Sequence, residues 1–252
     1  LAILMQTFYR EIGVLAIAYA RIAPVFYLLP FLNDRVIVNT VLKNTIIFVV
    51  IGGLWSSMGH PHADSGAALL ALAMQEATAG LVLGVTLSLP FWVATAIGEL
   101  IDNQRGATIS DSIDPATGVE ASVLGPFVSL FYAAAFLQEG GMLTLVEAIR
   151  NSYVTIPAGA LLHADAWRFG TLLTDLVGKG LSLAAPVLIV MFLSDVMLGL
   201  FSRFCPQVNA FSLSLSIKSI VAFLVFHLYF VLAGPHALTQ LFSLHPFASL
   251  VN

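Results

Sequence analysis

Long charge-poor apolar runs constrain this chain more than any motif in it. They are Ile12–Asn33, broken once by Arg21, then Asn44–Gly59, Ser65–Gln75, Ala77–Gly98, Ala121–Gln138, Gly180–Ser194, Phe204–Ile217 and Ser219–Asn252. Several approach the roughly 20 residues with which a helix crosses a bilayer. Ala77–Gly98 has nine strongly apolar side chains in 22 residues, which together favour insertion as a helix by roughly 3 to 5 kcal/mol. Such runs are too long for strands, and the alternation in short segments that marks an outer-membrane barrel is absent. The fold class read from the sequence is all-α.

Composition closes off the other classes. Of 252 residues, 59% are hydrophobic and 10% charged, against about 25% charged in a soluble domain. That is too little polar surface for a soluble globule and the reverse of a disordered chain. Ten Lys and Arg against 14 Asp and Glu exclude a strongly basic nucleic-acid binder. The single cysteine, Cys205, rules out an internal disulfide and a cysteine-based metal site. No basic stretch leads into a small-residue cleavage site, so insertion by the chain's own apolar segments is expected.

Two features do not suit a bundle of straight spans. Pro24, Pro30, Pro90, Pro126, Pro186 and Pro206 fall in or beside the long runs, where a proline removes a hydrogen bond and kinks a helix. Arg21, Glu76, Glu99, Asp195, Arg203 and Lys218 also lie in or beside them. A charge at the bilayer centre costs at least about 2.5–3.5 kcal/mol, so these groups either reach an interface or meet a partner inside protein. Basic residues are too evenly spread to orient the chain. The pairs Gly80/Gly84, Ala94/Gly98 and Ala16/Ala20 have the spacing that lets helices approach closely. A turn is expected at Glu139-Gly140-Gly141.

Glu99–Glu120 is the polar exception. It carries five acidic residues against Arg105, a net charge of −4 that equals that of the whole chain. A connection this long between packed helices is either functional or irregular. It reads as a solvated loop or as a polar element in an aqueous path. Catalytic patterns are missing: there is no phosphate-binding loop, no His-Glu-x-x-His and no nucleophile elbow. His60, His62 and Asp64 form a short cluster of the kind that arises by chance. We expect no catalytic residue, no metal and no cofactor.

The stretches ARIAPVFYLLPFLN (Ala20–Asn33), QEATAGLVLGVTLSLPFW (Gln75–Trp92), IDNQRGATISDSIDPATG (Ile101–Gly118), FLQEGGM (Phe136–Met142) and Ala185–Ser219 together resemble the SpaR/SctT family of type III secretion export-apparatus proteins. They resemble its flagellar counterpart FliR more distantly. Two polar signatures, Asp102-Asn103-Gln104-Arg105-Gly106 and Arg203-x-x-Pro206-Gln207-x-Asn209, carry more of this resemblance than the apolar similarity does. Cys205 departs from the pattern, where a small residue is expected before the proline.

The resemblance implies an inner-membrane subunit of a protein-conducting gate within the basal body. Its kinked helical hairpins would pack into a helical hetero-oligomer, partly raised toward the periplasm. It implies two smaller membrane partners in several copies (SctR-like and SctS-like), a switch protein (SctU-like) and a large export-gate protein (SctV-like), with unfolded polypeptides as cargo. Residues 1–165 would correspond to the larger of the two smaller partners and 166–252 to the smaller. The plug of the closed channel would involve Asp102, Asn103, Gln104, Arg105, Gly106, Ser110, Asp111, Asp114 and Pro115. Structural polar contacts are expected of Arg21, Glu76, Asp195, Arg203, Gln207, Asn209 and Lys218. The alternative from the residues alone is a secondary transporter or channel for small molecules, which broken helices would serve equally well. An intramembrane protease would need a Ser/His pair that nothing singles out.

Overall fold

The computed structural model describes residues 2–32, 37–59, 61, 65–106, 122–162, 166–205 and 210–239. Seven α-helices occupy most of them: α1 (Ala2–Leu28), α2 (Thr40–Leu54), α3 (Gly66–Gln104), α4 (Leu124–Gln138), α5 (Gly141–Thr155), α6 (Ala166–Phe204) and α7 (Ala210–Thr239). Short 3-10 turns follow α1 at Pro30–Leu32 and α2 at Trp55–Ser57. No strand occurs among the described residues. Phe8–Leu28, Thr40–Ser57, Gly66–Gln104 and Trp167–Phe204 are long and apolar enough to cross a membrane.

Local chemistry sets the starts. Asn39 caps α2 by accepting from the Val41 amide at 2.9 Å. Ser65 accepts from the Ala68 amide at the start of α3. Gly140, with φ of 80°, makes the turn into α5, a conformation that favours glycine. Pro24, Pro90 and Pro186 lie inside α1, α3 and α6. The expected interruption is therefore contained within continuous helices. Glu76 and Lys218, which divide apolar runs in the sequence, likewise lie mid-helix in α3 and α7.

The helices gather into two compact units that are not consecutive in sequence. The first comprises the described residues of 1–89 and 139–173, the second those of 90–138 and 174–242. The change from one to the other within α3 falls at Leu89–Pro90. This partition is one of spatial packing, and differs in kind from the division at residue 165, which concerns likeness to other subunits.

In the first unit α1 is the central element. Ile17, Ile22, Val25 and Phe26 are buried, and α1 runs against α3 at backbone contact. A Cβ on Gly80 would overlap the Arg21 carbonyl, and one on Gly84 would lie 3.1 Å from the Val25 Cα. Tyr19 and Tyr27 both donate to Asn44 Oδ1 of α2. In the second unit Phe91 of α3 packs edge-on against Tyr132 and Phe136 of α4, a favoured aromatic geometry. Gly98 likewise lies against the Leu124 carbonyl, where a Cβ would overlap it. Gly180 of α6 faces Val93 and Ile97.

These contacts generate a paired expectation. Gly80→Ala forces a methyl into the α1 backbone and should lower stability by about 1–3 kcal/mol. Gly52→Ala, where a Cβ meets nothing within 4 Å, should raise it by up to about 1 kcal/mol through helix propensity. Thermal unfolding of both variants in detergent, followed by circular dichroism, checks the opposite signs.

Candidate functional site

Three polar clusters interrupt the apolar interior. The first surrounds Arg21, in the middle of α1 and 1% exposed. Its Nε lies 2.6 Å from Glu76 Oε2, and its Nη2 donates to Glu76 Oε1 at 3.0 Å. Its Nη1 donates to the Ser152 and Ile156 carbonyls at 3.2 and 2.9 Å. The guanidinium carbon lies 4.2 Å from the Tyr153 ring centroid. Glu76, equally buried, accepts in addition from the Gly159 amide at 2.8 Å. A cation thus satisfies carbonyls at the C-terminal end of α5, where the helix dipole favours positive charge. Glu76 holds the turn that follows, in which Gly159 has φ of 84°. One ion pair joins α1, α3 and α5.

The second cluster closes the base of the polar loop. Asp102, in the last turn of α3 and 1% exposed, accepts through Oδ2 from Ser122 Oγ at 2.7 Å and from the amides of Val123 and Leu124 at 2.7 and 2.6 Å. Its Oδ1 lies 2.6 Å from Arg105 Nε. Ser122 accepts in turn from the Gly125 amide at 3.1 Å. A carboxylate from one helix therefore caps the N-terminus of the next, where exposed amides favour an anion. The guanidinium of Arg105 lies 5.2 Å from the Phe223 ring centroid of α7. Gly106 is buried with φ of 82°, and Asn103 and Gln104 are exposed. Ser110, Asp111, Asp114 and Pro115 lie outside the described residues.

The third cluster joins α6 to α7. Lys218 Nζ lies 3.1 Å from Asp195 Oδ1, which also accepts from Ser214 Oγ at 3.0 Å. Ser214 and Lys218 are one turn apart on α7. Arg203 is exposed in the last turn of α6, and Gln207 and Asn209 lie outside the described residues.

The structure thus brings Arg21 to Glu76, Asp102 to Arg105 and Asp195 to Lys218. Reasoning from sequence missed Tyr153, Gly159, Ser122 and Ser214. Ser122 and Gly159 had a local signal, a serine two residues before a helix and a glycine in a Pro-Ala-Gly turn. Tyr153 and Ser214 had none. Among the described residues no group of three or more His, Cys, Asp or Glu is placed to hold a metal ion. His60, His62 and Asp64 are outside them.

Residues 12–244 match the family described as bacterial export proteins, family 1. The chain belongs to that family. It is 43% identical to the surface presentation of antigens protein SpaR of Salmonella typhimurium, over 85% of this chain and 82% of that one. It is 45% identical to the SpaR protein of Shigella flexneri, over 82% of each. The Yop proteins translocation protein T of Yersinia pestis is 30% identical over 84% of each chain. In this member of the export family, the ion pairs of all three polar clusters fall in the stretches from which the resemblance was read. Arg21 and Glu76 lie in the first and second of those stretches, Asp102 and Arg105 in the third, and Asp195 and Lys218 in the fifth.

Two outcomes are expected. Glu76→Ala, which leaves the Arg21 charge buried without its carboxylate, should destabilise the protein by roughly 3–5 kcal/mol. Arg21→Met/Glu76→Leu should recover part of this, short of the wild type because the Ile156 carbonyl and the Gly159 amide lose the partners that Arg21 and Glu76 give them. Unfolding midpoints in denaturant resolve the order. Asp102→Ala should speed limited proteolysis between residues 106 and 122 relative to wild type, and equal cleavage rates would count against the Asp102 cap.

Proposed function

We propose that this chain is an inner-membrane export-apparatus subunit of a type III secretion system of the injectisome type, and that it forms part of the conduit for unfolded polypeptides. The observation that carries this reading is the similarity to SpaR along more than four fifths of both chains. The physical character of the surface supports it. Phe192, Leu193, Met197, Leu200 and Phe204 on α6 are exposed. An apolar face of this extent requires lipid or protein against it. A role in which helices pack against neighbouring subunits uses such a face directly.

In this reading the described residues act as scaffold, and the partners are two smaller membrane subunits in several copies, a switch protein and a large export-gate protein. Residues 1–165 play the part of one more copy of the larger of the two smaller partners, and 166–252 that of the smaller. Part of the assembly stands out of the bilayer on the periplasmic side. The polar segment that begins at Asp102 contributes to the plug of the closed channel. Its ends are tied through Asp102 and Ser122, so the segment between them leaves and returns at one place. Such a segment can project into an aqueous path without loosening the helices that bear it.

Two measurements test this. Purified in mild detergent from cells that make the whole apparatus, the chain should be recovered with two smaller apolar membrane proteins. Recovery of a monodisperse homo-oligomer would overturn the assignment and favour a small-molecule transporter. Deletion of Gly106–Ser112 should leave the assembled complex intact and make the membrane leaky to small solutes. Unchanged permeability in cells with assembled complexes would overturn the plug role.

A further inference from the structure

The C-terminal half of α3 has one face that its own unit leaves open. Phe91 is covered by Tyr132 and Phe136 of α4, and Gly98 by the Leu124 carbonyl. Val93 and Ile97 meet Gly180 of α6, and Asp102 turns to Ser122 and the start of α4. What remains is Trp92, Ala96, Glu99, Leu100 and Asn103, all exposed and spaced as one stripe of the helix. The chemistry of this stripe differs from that of its neighbours. Exposed side chains on the other helices of the unit include Leu130 on α4, Phe192 and Val196 on α6 and Ile220 and Leu224 on α7, all hydrocarbon. Asp175 and Lys179 on α6 are exposed too, but they neutralise each other. The α3 stripe carries a carboxylate and a carboxamide. Glu99 makes no ion pair among the described residues, and residues 107–121, which follow, contain neither Lys nor Arg.

We propose that this stripe borders the aqueous path of the conduit, and that the Glu99 carboxylate gives that wall a negative field, which favours cationic over anionic segments of a passing polypeptide. The inference rests on the conduit reading above and names the surface of this chain that serves it. Three physical arguments select water as the neighbour. The first is charge. α3 is long and apolar enough to cross a membrane, and an ionised group in such a helix faces a partner inside protein or a water-filled cavity. A subunit packed on the stripe would bury Glu99 and would need a cation of its own to compensate. The second is place. Asp102, one turn beyond Glu99, ties the base of the polar segment, so a segment that enters the aqueous path leaves from the end of α3 that bears this stripe. The third is local electrostatics. A Cβ on Gly125 would lie 2.8 Å from Glu99 Cγ, so the Glu99 stem runs beside the N-terminus of α4, where negative charge is favoured. The helix start keeps an anion at the open face, and water solvates its far side.

The test reads water and charge at Ala96, which lies eight residues before the end of α3 at Gln104, about 12 Å along the axis. If α3 merely ended at a bilayer surface, lipid would cover this position. The full chain with Cys205→Ser and Ala96→Cys is purified with the subunits that accompany it and placed in nanodiscs. Modification rates are measured with a cationic and an anionic methanethiosulfonate of similar size. Ala96→Cys should react with both, several-fold faster than Phe192→Cys on the apolar face of α6. Glu99→Gln should lower the cation-to-anion rate ratio at Ala96→Cys by about three- to ten-fold, the effect of one charge about 6 Å away in water with and without screening by salt. Leu100→Cys, on the same stripe, should repeat both results. An Ala96→Cys thiol as slow as that of Phe192→Cys, in an assembly that keeps its accompanying subunits, would overturn the proposal and leave the conduit reading standing. So would a rate ratio that Glu99→Gln leaves unchanged. Recovery of the chain as a homo-oligomer would remove the conduit reading, and the role of the stripe with it.

Discussion

The pairing of Arg21 with Glu76 is the interaction on which the first unit depends. An isolated charge in an apolar interior is too costly to keep, and a pair is tolerated only when geometry is close and the remaining donors and acceptors are used. Both conditions hold here. The two carboxylate oxygens meet two guanidinium nitrogens, the third nitrogen reaches two carbonyls of α5, and Glu76 takes the Gly159 amide. Of these two carbonyls, that of Ile156 lies just past the end of α5, and that of Ser152 also accepts from the Ile156 amide at 2.9 Å. The same contacts fix the axial position of α1 against α3, because Gly80 lies directly on the Arg21 carbonyl. A slip of one turn along either helix would separate the charges and bring side chains where only glycine fits.

The second unit solves the same problem with different groups. Asp102 is buried at a helix end and neutralises a neighbouring helix start instead of a mid-helix cation. Its Oδ2 accepts from a hydroxyl and two amides and its Oδ1 pairs with Arg105, all of which favour the charged carboxylate. Asp195 and Lys218 are partly exposed, and an ion pair of that kind contributes about 1 kcal/mol or less. Its value lies in register: in an apolar hairpin, where helices can slide at little cost, one polar match between α6 and α7 selects a single alignment.

Much of this was legible from residue order alone, and the failures have definite physical causes. The apolar runs located α1, α2, α4 and α6, and Arg21 and Glu76 stood out because a charge in an apolar run needs an explanation. The runs were cut at Glu76 and Lys218 because a charge signals an end only when it faces water. Both groups instead find partners across the interior, so the helices continue. α5 was missed because Glu147, Arg150 and Asn151 make it amphipathic, with Leu145, Ala148, Ile149 and Ser152 on its buried face. A search for uniformly apolar segments passes over such a helix. Of the close-packing pairs, Gly80/Gly84 lies in a helix contact, and Gly98 meets the start of α4. Ala16 is exposed. Spacing alone cannot distinguish these cases, because what decides is whether a second backbone is present opposite.

Helix length bears on what covers the apolar surface. α6 has 39 residues, a length of about 58 Å at 1.5 Å per residue, against a hydrocarbon thickness of about 30 Å. To lie wholly within hydrocarbon it would have to tilt by about 60°, beyond the roughly 0–40° that spans adopt. A substantial part of it is therefore outside the acyl region. The N-terminal third suits that position, since Asp175 and Lys179 form an exposed ion pair there at 2.7 Å. Yet Leu173, Val177 and Leu181 are exposed on the same stretch. Water is a poor neighbour for these side chains, so this stretch too requires lipid or protein against it. Lipid tails cannot cover the whole apolar face of a helix longer than the hydrocarbon is thick, so the apolar content of this chain exceeds what the bilayer alone accounts for.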